Sequence, residues 1–299
     1  MLPLNDPVVV NIPLPAHPPF SLPAVVRSHG WWQLSPFSWD DAGNVLTRVE
    51  RLSSGRVLEL RIRESNGGVG VEVGGQPTDA EWVEVAGKVT WMLQLDLDLS
   101  AFYALIGDET GLAHVERGAH GRILRSPTLF EDVVKTILTT NVAWSGTLRM
   151  VDALVSGFGD PLPLDPMRHA FPTPTRLAAT DEAALRSAGL GYRAPYVLEL
   201  ARTVTEGELG LEGLKDAALP TAQVRARLLA IKGVGDYAAA SLLMLLGHYS
   251  FVPIDSWART MVSREWYDGE PVGRAEVEAA FERWGRWKGL AYWLWDWAG

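Results

Sequence analysis

The 299-residue chain contains no cysteine, which excludes disulfides, thiolate metal sites and cysteine-held iron–sulfur clusters. Histidine is scarce at 6 residues, and His, Asp and Glu never fall at metal-ligand spacing, so no metal site is expected. No apolar run approaches the roughly 20 residues of a membrane-spanning helix, and the proline-rich opening lacks the basic, apolar pattern of a secretion signal. These absences lead us to expect a cytoplasmic protein with no membrane partner. Positive charge is also in short supply: the net charge is −9, whereas a nucleic-acid partner normally favours a basic surface. The deficit is local. Residues 1–120 carry 8 Lys or Arg against 15 Asp or Glu, but within 217–264 Arg225, Arg227, Lys232, Arg259 and Arg264 outnumber Asp236 and Asp255.

What is present divides along the chain. β-like stretches at Val8–Leu14, Val45–Leu52, Val57–Arg63 and Val69–Val73 are punctuated by Ser53-Ser54-Gly55 and Asn66-Gly67-Gly68, the pattern of a small antiparallel sheet. From about Thr78 the periodicity turns helical. The expected fold is α+β, mostly α: an antiparallel sheet domain over 1–115, then a helical core over 116–299. The proline-rich stretch 13–23 reads as an ordered strap or edge.

Residues 228–259 are the most informative. Leu228 and Ile231 precede Gly233-Val234-Gly235, and Ala239 and Leu242 follow at helical spacing, which predicts two helices joined by a glycine hairpin over about 224–246. Glycines permit the tight turn and a close ligand approach. The amides at the start of the second helix make a phosphate site, and Asp236 reads as that helix's cap. Behind an apolar, proline-bounded stretch stands Asp255, followed by Ser256-Trp257-Ala258-Arg259. On these residues alone an N-cap is the simpler role for Asp255.

Hairpin and acid together resemble the helix-hairpin-helix (HhH-GPD) DNA glycosylase superfamily, in which an essential Asp follows the hairpin by about twenty residues. The resemblance implies damaged double-stranded DNA as partner and a nucleoid-associated monomer. It also implies a phosphate grip at Lys232, Gly233, Val234 and Gly235, with Asp255 as the catalytic carboxylate. Such a carboxylate suits N-glycosidic cleavage, because positive charge develops on the sugar. Some relatives hold an iron–sulfur cluster, which this chain cannot. A structural monovalent cation at the hairpin is a further family habit; no other cofactor is expected.

Two more stretches carry the likeness. Arg125-Ser126-Pro127 through Phe130–Asn141 resembles the lesion-facing helix and loop, and Asn141 falls where 8-oxoguanine DNA glycosylases set an Asn against the widowed base. The plainer role for Asn141 is a helix C-cap. Leu190-Gly191-Tyr192-Arg193-Ala194-Pro195-Tyr196-Val197 is close to the LGYRARYV-type stretch of the same enzymes. There the Tyr intercalates and the Arg touches the opposite base, so Tyr192 would fill the hole left by a flipped base; otherwise Tyr192 is core and Arg193 a surface charge.

One departure matters most. Bifunctional relatives carry GVG-x-K, but this chain reads Gly233-Val234-Gly235-Asp236-Tyr237, and a tyrosine forms no Schiff base. A monofunctional glycosylase is therefore expected. An aromatic at that position resembles 3-methyladenine DNA glycosylase II, as does Trp284–Trp293, which implies an aromatic pocket for alkylated, electron-poor purines. Trp144, Tyr237 and Trp257 are the candidates for its walls, with Phe251, Glu131 and His248 as other base readers; most of the 13 Trp must be ordinary core. Alternatives kept open are an 8-oxoguanine-type glycosylase and a catalytically silent reader of lesions or DNA shape.

Overall fold

In the computed structural model the described residues are 9–107, 109–254 and 256–295. Strands run β1 Val9–Pro15, β2 Phe37–Asp40, β3 Val45–Arg51, β4 Val57–Ser65, β5 Gly68–Gly74, β6 Pro161–Leu162 and β7 Asp165–His169. Helices run α1 Leu22–Val26, α2 Asp79–Leu93, α3 Ser100–Ile106, α4 Leu129–Thr139, α5 Trp144–Phe158, α6 Pro174–Ala178 and α7 Glu182–Leu185. They continue with α8 Ala194–Thr205, α9 Thr221–Leu229, α10 Asp236–Leu246, α11 Ser256–Trp266, α12 Arg274–Glu282 and α13 Lys288–Leu294. Two compact units form, each from two chain segments: 1–98 with 122–210, and 99–121 with 211–299. The expected class, α+β and mostly α with an N-terminal antiparallel sheet, is the one observed. Among the described residues no helix is long and apolar enough to cross a membrane.

In the first unit the sheet order is β1-β5-β4-β3-β2, antiparallel throughout. Alternation sets the face: Leu58, Leu60 and Ile62 of β4 are buried while Glu59, Arg61 and Arg63 are not. Ile12, Val71, Ile62, Leu46 and Trp39 stand in one cross-strand row, the contact that stabilises a sheet. Four of the five strands coincide with the expected stretches; Val8, expected to open the first, lies outside the described residues. The fifth, β2, is four residues long and follows Pro36, too short to show an alternation. The proline-rich stretch is part edge and part strap: it ends the edge strand β1 at Pro15, then crosses to α1. Its carbonyls at His17 and Pro19 accept hydrogen bonds from the buried Arg122, which also serves Gln94 and Leu97.

Helix α4 starts at the capping Thr128, whose hydroxyl accepts from the Glu131 amide. It is bound to the sheet by charge. Arg48 on β3 donates twice to Glu131, at 2.9 and 2.6 Å, and once to Glu50 at 2.6 Å. Lys135, one turn along, reaches Glu131 at 2.7 Å. Burial raises the Glu131 carboxyl, but the charges of Arg48 and Lys135 outweigh it and hold the group down at about 2. Glu131, expected among the base readers, is instead consumed in this buried network.

Next to it, Asp132 accepts from the Trp31 indole at 2.7 Å and from the Ser126 amide at 2.9 Å. Complete burial pushes its carboxyl up to about 6 against these bonds. Between about pH 4 and 6 the unfolded chain therefore loses a proton that the folded protein keeps, so raising pH through that window favours unfolding. Asp132→Asn keeps the oxygen that accepts both bonds and abolishes the titration. The wild type should lose up to about 3 kcal/mol relative to Asp132→Asn from pH 4 to 6, read from urea denaturation; parallel stability curves would refute it.

Candidate functional site

In the second unit, α9 runs into the turn through Ile231 and Gly233, where Gly233 takes φ +89°, a left-handed conformation that disfavours other residues. Buried Val234 anchors the turn, and its amide donates to the Ile231 carbonyl at 3.0 Å. Lys232 and Gly235 face solvent. The N-cap of α10 is Gly235 itself, with no side-chain cap. This corrects the expected role of Asp236: it is the first helical residue, and its carboxylate is drawn across the hairpin into an ion pair with Arg225 of α9. The Ala239 amide closes onto the Gly235 carbonyl at 2.8 Å, so the amides before it present donors and the positive helix end outward. A Cβ on Gly235 would meet nothing within 4 Å, which leaves that edge open to a ligand.

Beside the hairpin lies a hollow of about 410 Å³, lined by Arg225, Asp236, Tyr237, Phe251, Pro253, Ile254 and Arg274. Tyr237, at the position of the absent lysine, is 60% exposed. Asp255 lies outside the described residues, between Ile254 of the hollow and Ser256, where α11 begins. Trp257 is half exposed and packs edge-to-face on buried Tyr292, with centroids 5.2 Å apart. The C-terminal aromatics are core: Phe281, Trp284, Trp287 and Tyr292 are all buried. His248 is buried too, its Nδ1 3.2 Å from the hydroxyl of Thr221 at the start of α9. Phe251 does reach the hollow.

The first unit holds the other candidates. Helix α4 ends at Thr139 with Thr140 as its C-cap; Asn141 is the following residue, exposed and at φ +49°, so it is not the cap. Tyr192 stands 47% exposed on the 3₁₀ turn Gly191–Arg193. Its hydroxyl makes a long contact of 3.4 Å to the Thr140 carbonyl. Desolvation raises the phenol, but hydrogen bonds to Asn141 and Thr140 and the charge and hydrogen bond of Arg193 together bring it below its ordinary value. Arg193 is buried: its guanidinium donates to the Thr140 carbonyl and lies 4.3 Å from the centre of the Tyr192 ring. It thus braces Tyr192 from beneath. Trp144 opens α5, donates to Gln33 at 2.8 Å and covers Gly30 so closely that a Cβ there would lie 2.4 Å from the ring.

Structure therefore joins Asn141, Tyr192 and Arg193 in one cluster, with Trp144 on the same unit. Lys232 through Gly235, Tyr237 and Trp257 belong to the other unit. Gln33 and Arg274 were missed, and Arg225 was noted only as one of a basic group, because nothing in their local sequence marks a residue whose partner lies across a turn or on another element.

A sequence model of the HhH-GPD superfamily, described as base excision DNA repair proteins, matches residues 134–287, more than half of the chain. The chain belongs to the HhH-GPD superfamily. Among curated proteins it is 25% identical over 235 residues to an N-glycosylase/DNA lyase of Saccharomyces cerevisiae, covering 66% of this chain. It is 25% identical over 202 residues to a probable N-glycosylase/DNA lyase of Methanothermobacter thermautotrophicus, covering 59% of this chain. Either match spans 62% of the relative's own length. Among solved structures, the 3-methyladenine DNA glycosylase of Archaeoglobus fulgidus superposes with a TM-score of 0.74 at 24% identity, covering 96% of this chain and 97% of that one. The apo 8-oxoguanine glycosylase/lyase of Clostridium acetobutylicum gives 0.67 at 19%, covering 91% and 93%. At these identities the superpositions establish a shared fold.

The bracing of Tyr192 is measurable in this HhH-GPD protein. Arg193→Met removes a buried charged donor and should cost on the order of 2 kcal/mol in chemical denaturation. A double-mutant cycle with Tyr192→Ala should give a coupling of at least about 0.5 kcal/mol; additive losses would show that Arg193 does not support the ring.

Proposed function

We propose that this HhH-GPD protein is a monofunctional DNA glycosylase of base excision repair that releases an alkylated purine from double-stranded DNA. The observation that carries the reading is Tyr237: an exposed aromatic, not an amine, stands directly after the hairpin and lines the hollow that Ile254 enters just before Asp255. Without an amine there is no Schiff base, and water becomes the nucleophile.

In this reading the hairpin residues Lys232, Gly233, Val234 and Gly235 hold a phosphate, and Tyr192 fills the space of the flipped nucleotide, braced by Arg193 and flanked by Asn141. Tyr237 and Trp257, both on the second unit, supply aromatic faces for the base; Trp144, on the first unit, is a further aromatic that DNA can meet. An N-alkylated purine bears positive charge, so such faces attract it, and it departs as a neutral molecule. The C1′–N bond breaks with its electron pair going to the base. Asp255 stabilises the positive sugar, water oxygen bonds to C1′, and its proton is accepted by Asp255 or solvent. The product is an abasic site with the strand intact.

The second reading is removal of 8-oxoguanine, which the Leu190–Val197 stretch and Asn141 favour. A panel of duplexes carrying 3-methyladenine, 7-methylguanine, hypoxanthine, 1,N6-ethenoadenine or 8-oxoguanine, each cleaved with alkali after incubation, ranks them directly. Alkylpurines should be released fastest, without strand breaks before alkali. Asp255→Asn should slow release at least about 100-fold while retaining lesion binding. Borohydride trapping should yield no protein–DNA adduct; an adduct would restore the lyase that the curated relatives are named for. Release of no base from any duplex would leave a silent lesion reader.

A further inference from the structure

The hollow beside the hairpin contains two guanidinium groups to which base removal gives no task. Arg225 projects from α9, its guanidinium 5.2 Å from the centre of the Phe251 ring and one terminal nitrogen paired with Asp236. Its Nε–H is shielded from solvent, and among the described residues it finds no acceptor. Buried donors in folded proteins are nearly always satisfied, so an orphan points to a missing acceptor. Arg274, at the start of α12, lines the same hollow, pairs with Glu278 at 3.1 Å and keeps 71% of its side chain exposed.

The geometry suits one kind of ligand. A phosphate offers adjacent oxygens that take the Nε and Nη hydrogens of one arginine as a fork, and a second cation nearby strengthens the hold. Tyr237 and Phe251 offer flat apolar faces to the attached sugar or base. Asp236, at 82% side-chain exposure, makes a solvent-screened and readily exchanged pair. It engages Arg225 through one oxygen on one terminal nitrogen and leaves Nε unused.

We propose that the hollow is a nucleotide-phosphate clamp for the bound DNA strand, formed by Arg225 and Arg274, and that Asp236 is a built-in competitor that occupies Arg225 until a phosphate displaces it. On displacement Arg225 exchanges one anion for another and fills its vacant Nε bond, while Asp236 turns to water, where its charge is hydrated. This rests on the reading that DNA is the ligand, but not on catalysis. The competitor discriminates against weak contact: only a strand that supplies the fork recovers what the carboxylate gave up.

The full chain is titrated with a duplex holding a tetrahydrofuran abasic analogue, which cannot be processed, at several salt concentrations. Arg225→Gln and Arg274→Gln should each weaken binding and flatten the slope of log K against log salt by about 0.9. Arg225→Lys keeps the charge but loses the fork, so affinity should fall with the slope retained. Asp236→Asn should bind several-fold more tightly than wild type. Thermal midpoints taken alongside confirm folding, and a merely structural role would move them without moving the slope. An unchanged slope in either glutamine variant, or an Asp236→Asn protein that binds no more tightly, overturns the clamp. Base release by the wild type is scored separately on the lesion panel: no release with the expected slopes sinks the glycosylase reading and leaves the clamp standing, and the reverse sinks the clamp alone.

Discussion

The paired hydrogen bonds from Arg48 to Glu131 fix the first unit. Both side chains are about 2% exposed, so neither charge can fall back on water, and removing one partner of such a pair typically costs about 3–5 kcal/mol. A bidentate fork also dictates orientation as well as distance. Because the fork joins β3 to the first turn of α4, it sets the rotation and axial position of the whole helix. Asp132 then meets Trp31 and Ser126, Lys135 meets Glu131, and the chain leaves the helix at Thr140 in position to receive Arg193. Lys88 extends the network by linking Glu50 to Glu84 on α2. Apolar burial holds the sheet together, but an apolar contact tolerates sliding; this network does not.

The second unit solves a different problem. Its hairpin must present bare backbone, which requires residues without side chains at the surface and a firm anchor beneath. Val234 supplies the anchor, and Gly233 and Gly235 the bare surface. Buried Phe281 and Tyr292, edge-to-face with each other and with Trp266 and Trp257 of α11, give that helix a rigid bed, so Trp257 can project half its surface outward without sacrificing packing. Rigid support of a few exposed groups is the general requirement of a binding site, and each unit meets it by its own means: buried charge in one, edge-to-face rings in the other.

Much of this was legible in the sequence, and what was not has a common cause. The strands β1, β3, β4 and β5 announce themselves as β-like runs between turn residues, and the hairpin by two glycines between helical periods, because both signals are local. The buried state of Glu131 and Lys135 was invisible: Phe130-Glu131-Asp132-Val133-Val134-Lys135 reads as an amphipathic helix, and only Arg48, 83 residues earlier, turns its polar face into a core. The same holds for Asp236, which looks like a cap until Arg225 is brought across the turn. The burial of Arg193 beneath the tyrosine it follows was equally hidden, since its partner, the Thr140 carbonyl, lies 53 residues away in sequence. Local chemistry was readable; partnerships made at a distance were not.

A single carbonyl oxygen, that of Thr140, receives both the Arg193 guanidinium and the Tyr192 hydroxyl. Two loops from distant parts of the chain thereby share one anchor point, so neither is an independent module. Transplanting Leu190–Val197 into another scaffold would carry the side chains but leave behind the oxygen that orients them. The end of α4 and the Tyr192 turn therefore act as one piece, a lock and the frame that holds it.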